Sequence, residues 1–126
     1  MRRPYLLLAL SLLWTGSATA QGTRCDSAAT TREIQACLAG ELLAADDSLK
    51  SVEATLRVRA SSTPEAEWRQ LQAAWIEYRD KECALRGSLF AGGTLSSVAI
   101  VECRIELTRA RASQLGQLLR NLPDGG

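Results

Sequence analysis

No histidine occurs anywhere in the 126 residues. Its absence removes the commonest general base, the usual activator of a nucleophile and the commonest metal ligand. Cys25, Cys37, Cys83 and Cys103 are the next residues able to do chemistry, but no two of them form a C-x-x-C pair, so a thioredoxin-like redox site is not encoded. Once all four are oxidised, thiolate catalysis and a cysteine zinc site disappear as well. Carboxylate pairs remain. Glu102 and Glu106 are four apart and Glu77 and Asp80 three apart, which puts each pair on one face of a helix. Charges so spaced belong far more often to a solvated face than to a catalytic dyad. The expectation is a protein that is not an enzyme and uses no cofactor or metal.

The densest chemistry lies in Gln72 to Cys83, QAAWIEYRDKEC, which has no Gly or Pro. On a helix Leu71, Trp75 and Tyr78 recur at i, i+4 and i+7 as one apolar stripe, with Arg79 and Cys83 sharing a neighbouring face. Trp75 and Tyr78 are expected to fill the core, since large rings dominate small interiors. Arg79 and Asp80 are adjacent and are expected to point apart, each toward another helix. A buried Arg79 needs a carboxylate, and Glu102 or Glu106 is the expected partner.

Three helices are needed to position these residues. Thr30 and Glu33 match a capping box and start the first, whose stripe Ile34, Leu38, Leu42, Ala45, Leu49, Val52 and Leu56 runs to near Ala60. Ser61-Ser62-Thr63-Pro64 breaks the chain, with Thr63 as a cap and Pro64 at the first position of a second helix reaching about Arg86. Gly87 to Thr94, GSLFAGGT, is the second break and holds the sole Phe. A third helix begins at Thr94 or Ser96 and carries a heptad seam, Val98, Val101, Ile105, Thr108, Ala112, Leu115, Leu119 and Leu122. Short connections between amphipathic helices imply an all-α, antiparallel three-helix bundle.

Residues 1–20 read as a cleaved signal peptide: Arg2 and Arg3, an apolar run from Tyr5 to Trp14, then Ala18-Thr19-Ala20. The expected domain is residues 21–126, periplasmic or secreted, with no lipid or membrane anchor. Losing Arg2 and Arg3 from 15 basic residues leaves 13 against 14 acidic ones, a net charge of −1. That balance does not support nucleic-acid binding. In an exported chain of this size four cysteines imply two disulfides. Three pairings are possible; Cys25 with Cys37 and Cys83 with Cys103 is favoured because each pair brackets a single turn.

Several of these features together resemble the lysozyme inhibitor LprI N-terminal domain family. The resemblance rests on Cys25, Thr30, Glu33 and Cys37, then on Gln72, Trp75, Tyr78, Arg79, Asp80 and Cys83, and continues through Gly92-Gly93-Thr94, Cys103, Thr108, Arg111 and Leu115. Gln72, Trp75, Tyr78, Arg79, Asp80, Thr108 and Arg111 are read as mainly structural. Where the family usually has Asn and Tyr in the first helix, this chain has Lys50 and Glu53. The resemblance implies a binding protein of the bacterial envelope, with lysozyme as the protein partner. Ser88, Leu89, Phe90, Gly92 and Gly93 form the candidate binding loop, fenced by Cys83 and Cys103; the competing expectation is that Leu89 and Phe90 fold back over the bundle end. The alternative function is a structural or adaptor module that binds another envelope protein, with Trp68, Arg57 and Arg59 as its rim.

Overall fold

A computed structural model describes residues 25–123, which form α1 (Thr31–Arg59), α2 (Glu65–Ser88) and α3 (Gly93–Asn121), with no strand among the described residues. The expected signal peptide lies outside them. The capping box at the start of α1 is present: the Thr30 hydroxyl accepts from the Glu33 N–H, and the Glu33 carboxylate accepts from the N–H groups of Thr30 and Ala29. Those donors hold the Glu33 carboxyl below its ordinary value, because they stabilise its charged form. At α2 the cap is Pro64, and no side chain bonds to the helix end, so Thr63 does not take the capping role its type suggested.

Each connection reverses the chain, so α1 and α3 run in the same direction and α2 runs against both. The apolar stripes of α1 and α3 meet in two clusters. Leu38 and Ile105 pack with Cys25, Ile34, Leu42, Val98 and Val101 at one end. Leu49, Leu56, Ala112 and Leu115 pack with Val52, Trp68, Trp75 and Leu119 toward the other. The backbone of α3 lies against both other helices, whereas those of α1 and α2 stay apart. All four cysteines are paired, Cys25 with Cys37 and Cys83 with Cys103. Both bridges therefore sit at the end that holds the α2–α3 turn.

Beside the Cys83–Cys103 bridge α2 approaches α3 through Gly87, which is buried, and the Ser96 hydroxyl donates to the Gly87 carbonyl at 2.9 Å. A Cβ at Gly87 would lie 2.7 Å from Ile100 Cδ1, so only glycine lets the helices come this close. Turning Cys83 and Gly87 inward also fixes the rotation of α2, and here the expected stripe is corrected. Tyr78 precedes Cys83 by five residues, which places it about 140° around the helix. It is 56% exposed, and Leu71 also points to solvent. Trp75 remains packed on the core, so one ring of the two fills the bundle.

Candidate binding site: an apolar turn on a polar-braced bundle

The turn between α2 and α3 is built by local bonds. The Ser88 hydroxyl donates to the Leu85 carbonyl at 2.7 Å, the Phe90 N–H to the Gly87 carbonyl at 3.2 Å, and the Gly92 N–H to the Phe90 carbonyl at 2.6 Å. Gly92 and Gly93 follow with φ of 87° and 74°, a left-handed pair that side-chain-bearing residues seldom adopt. This conformation turns Leu89 and Phe90 outward, 78% and 44% exposed, rather than over the bundle end. Leu85 and Leu95 are exposed beside them. No charged residue occurs from Gly87 to Val101. Arg86, at the edge of this neutral tip, is neutralised by Glu106 at 2.8 Å and Glu82 at 3.2 Å. Bonds to those two carboxylates push its pKa up.

Gln72 and Arg79 bridge the gap between α1 and α2 with their side chains, and Trp75 and Asp80 hold Arg79 in place. The Arg79 side chain is 15% exposed. Its guanidinium donates to Asp80 at 3.2 Å, to Asp46 of α1 at 3.5 Å and to the Thr108 hydroxyl of α3 at 3.3 Å. It also lies over the Trp75 ring, 5.1 Å from its centroid, where ring quadrupole and cation attract. Asp80 meets Arg104 as well, at 3.3 Å. Arg79 and Asp80 each reach another helix as expected, but they also bond to each other, and the expected carboxylate partner is corrected: Arg79 pairs with Asp46 and Asp80, because Glu106 is taken by Arg86 and Glu102 is exposed.

Further along the same gap, Gln72 donates to Glu53 at 3.1 Å and accepts from Arg57 at 3.3 Å. Arg57 pairs with Glu65 and lies over Trp68, 6.0 Å from its centroid. Burial raises the pKa of Glu53, and the nearby charges of Arg57 and Arg111 oppose that rise. A cavity of about 10 Å³ lies among Glu53, Arg57, Trp68, Gln72 and Arg111. The Nε atoms of Arg57 and Arg111 are buried there without a hydrogen-bond partner in the protein. The volume is near that of one water. Sequence reasoning missed the role of Glu53: it stands where an aromatic was expected, and its carboxylate is the acceptor that holds Gln72.

The acidic pairs do not converge on a site. Glu77 is exposed and bonded to Lys81 at 2.6 Å, which lowers its pKa, and Asp80 is committed to Arg79 and Arg104. Among the described residues no three side chains of metal-ligating type come together. A separate open groove of about 350 Å³ runs between α1 and α3, lined by Ser48, Val52, Ala112, Ser113 and Gly116 between Arg109 and Arg120. Arg109 is bonded to Glu41 there, and no residue of the groove was singled out by the sequence except as part of a core stripe.

These features define a class: a small helical domain closed by disulfides at one end, in which Gln72, Trp75, Arg79, Asp80 and Thr108 brace the helices and an apolar turn faces outward. The family model described as "Lysozyme inhibitor LprI" matches residues 24–115, and the chain belongs to that family. It is also similar to the "Uncharacterized protein R02472" of Rhizobium meliloti (strain 1021), with 29% identity over 137 aligned residues covering 96% of this chain and 98% of that protein. No solved structure matches it.

Proposed function

We propose that this protein is an exported, non-enzymatic inhibitor of a lysozyme-type muramidase, which it binds through the α2–α3 turn. The observation that carries the reading is the outward placement of Leu89 and Phe90 on a turn tied at both sides by Cys83 and Cys103. A loop ordered before binding loses less conformational entropy on docking, and exposed apolar side chains in a neutral surround supply an anchor that desolvates cheaply. Membership of the LprI family supports lysozyme as the partner. Residues 1–20 act as the export signal and residues 21–126 as the working domain, in the periplasm or outside the cell. Two disulfides suit an oxidising compartment, and among the described residues no helix is long and apolar enough to cross a membrane. Gln72, Trp75, Arg79, Asp80, Thr108 and Arg111 hold the scaffold, with Tyr78 on its surface.

The test is an inhibition assay with purified oxidised protein against several lysozyme classes. Replacing Leu89 and Phe90 together by Ser is expected to abolish inhibition and to change stability by no more than about 0.5 kcal/mol, since neither side chain supports the core. Full lysozyme turnover at high excess of the wild-type protein refutes the reading. Recovery from envelope extract of one stoichiometric protein other than lysozyme favours an adaptor role instead. The rim expected for that role is partly spent internally: Arg57 is stacked on Trp68, and Arg59 donates to the Pro123 carbonyl at 3.5 Å.

A further inference from the structure

At the end of the bundle away from the α2–α3 turn, side chains of all three helices converge on one enclosed point. Glu53 and Arg57 come from α1, Trp68 and Gln72 from α2, and Arg111 from α3, around the cavity of about 10 Å³. The Nε atoms of Arg57 and Arg111 are buried and have no acceptor in the protein. We propose that this cavity is a binding site for one ordered water, which accepts from both Nε–H groups and donates to the Glu53 carboxylate.

The lining selects this occupant. A guanidinium keeps its protons at every pH a folded protein meets, so each buried Nε–H needs an acceptor, and leaving one unmet is costly. Arg57 cannot turn its Nε outward, because its Nη1 is held by Glu65 at 3.2 Å and its guanidinium lies over the Trp68 ring. The acceptors nearby are already engaged: Gln72 Oε1 accepts from Arg57 Nη2 at 3.3 Å, and Glu53 Oε2 accepts from the Gln72 amide at 3.1 Å. Glu53 has a second oxygen, which can take a proton from a water but supplies no bridge to both arginines by itself. An apolar void of this size would stay dry, but two cations, a carboxylate and an amide line this one. The two guanidiniums repel a cation, and a chloride, larger than water, would stand against the Glu53 charge. A water has two lone pairs for the two Nε–H groups and a proton for Glu53, and three bonds are typical of a buried water. The backbones of α1 and α2 stay apart, so this one solvent molecule couples Arg111 of α3 to the Glu53–Gln72 bond that spans them.

Nuclear magnetic resonance of the oxidised, signal-free protein tests it, at low temperature and mildly acidic pH, where guanidinium protons exchange slowly. The Nε–H protons of Arg57 and Arg111 are expected to show cross-peaks at the water frequency whose sign reverses between NOESY and ROESY spectra, the mark of a long-lived neighbouring water and not of chemical exchange. No residue lining the cavity bears a hydroxyl, so relay through one cannot imitate the signal. Arg104 is the control: its Nε is equally buried without a hydrogen bond but does not line the cavity, and it is expected to show no such peak. Arg111→Met removes one of the two donors and is expected to speed exchange of the Arg57 Nε–H at least about tenfold, with the helical circular dichroism unchanged. Absence of the cross-peak at either arginine of the wild type overturns the proposal, whether or not the variant folds. So do equal peaks at Arg104, an Arg57 exchange rate indifferent to Arg111→Met, or Nε–H shifts that move when chloride replaces acetate, which would put an anion in the site. Leu89 and Phe90 do not line the cavity, so this test and the lysozyme assay fail independently.

Discussion

The two ends of the bundle are stabilised by different means. At the end with the α2–α3 turn, Cys25–Cys37 ties the incoming chain to α1 and Cys83–Cys103 ties α2 to α3, around a small core of Leu38 and Ile105. At the opposite end no covalent link occurs among the described residues. There Leu49, Leu56, Ala112 and Leu115 are supplemented by Trp68 and Trp75, and the gap between α1 and α2 is filled by Arg57, Gln72, Glu53 and Arg79. Trp68 and Trp75 pack on the core at the end that packing alone closes, whereas Leu89 and Phe90 face outward at the end that sulfur closes. Leu89 and Phe90 can face solvent because the helices beneath them do not need their burial.

The comparison breaks most sharply at the bridges. Replacing Cys83 and Cys103 by Ser is expected to cost about 3 kcal/mol, from the entropy regained by the unfolded chain. Denaturant melts of the oxidised variant and wild type measure the difference. The same loss should make amide exchange rise first in Gly87 to Ile100, at the turn end, before it rises around Leu56. Uniform loosening of both ends would show that they are one cooperative unit.

At the other end the sharpest probe is Arg79→Ala. It leaves Asp46 and Asp80 without their shared cation, strands the buried Thr108 hydroxyl and uncovers the Trp75 ring. A fully buried pair would lose several kcal/mol, but both carboxylates are partly solvated. About 2 kcal/mol is therefore expected after discounting for water. Lysozyme inhibition at a temperature where the variant stays folded should be unaffected, because the turn is held separately. A variant with unchanged melting temperature and lost inhibition would move Arg79 from the scaffold to the binding surface.

Part of this division is legible in the sequence. Thr30 and Glu33 announce the start of α1 because a capping box depends on residues three apart and on nothing distant. The bridge pairing follows from which cysteines bracket one turn. The rotation of α2 was not legible. Leu71, Trp75 and Tyr78 share a helical face by period, but the buried face was decided by Gly87, whose missing Cβ lets α2 meet α3 at a place the apolar stripe does not mark. The partner of Arg79 was hidden for a similar reason. Asp46 is distant in sequence, and a pattern of four-residue steps tells which residues share a face but not which helix that face meets. For the turn, composition identified the residues, while their outward direction depended on the local bonds and the left-handed pair at Gly92 and Gly93.

The smallest expected effect separates the two ends by acidity. Glu33, at the bridged end, has a lowered pKa from its capping bonds, whereas Glu53, in the open-end gap, has a raised one from burial. Linkage gives them opposite signs. A lowered folded pKa means that the unfolded chain binds more protons, so the contribution of Glu33 is present above the ordinary value of 4.5 and is lost as the pH falls through its folded pKa. A raised pKa means that the folded chain binds more protons, so the contribution of Glu53 is greatest below 4.5 and declines as the pH rises through its folded pKa. Stability measured from about pH 4 to about pH 7 should therefore respond oppositely to two neutralising substitutions. Glu33→Gln should cost stability at neutral pH and little in acid. Glu53→Gln keeps an acceptor for Gln72 and should compare best with wild type at neutral pH, losing that relative advantage in acid. A Glu53→Gln curve that runs parallel to that of wild type would mean that Arg57 and Arg111 fully compensate the burial of Glu53, and that only the cap carries a net pH dependence.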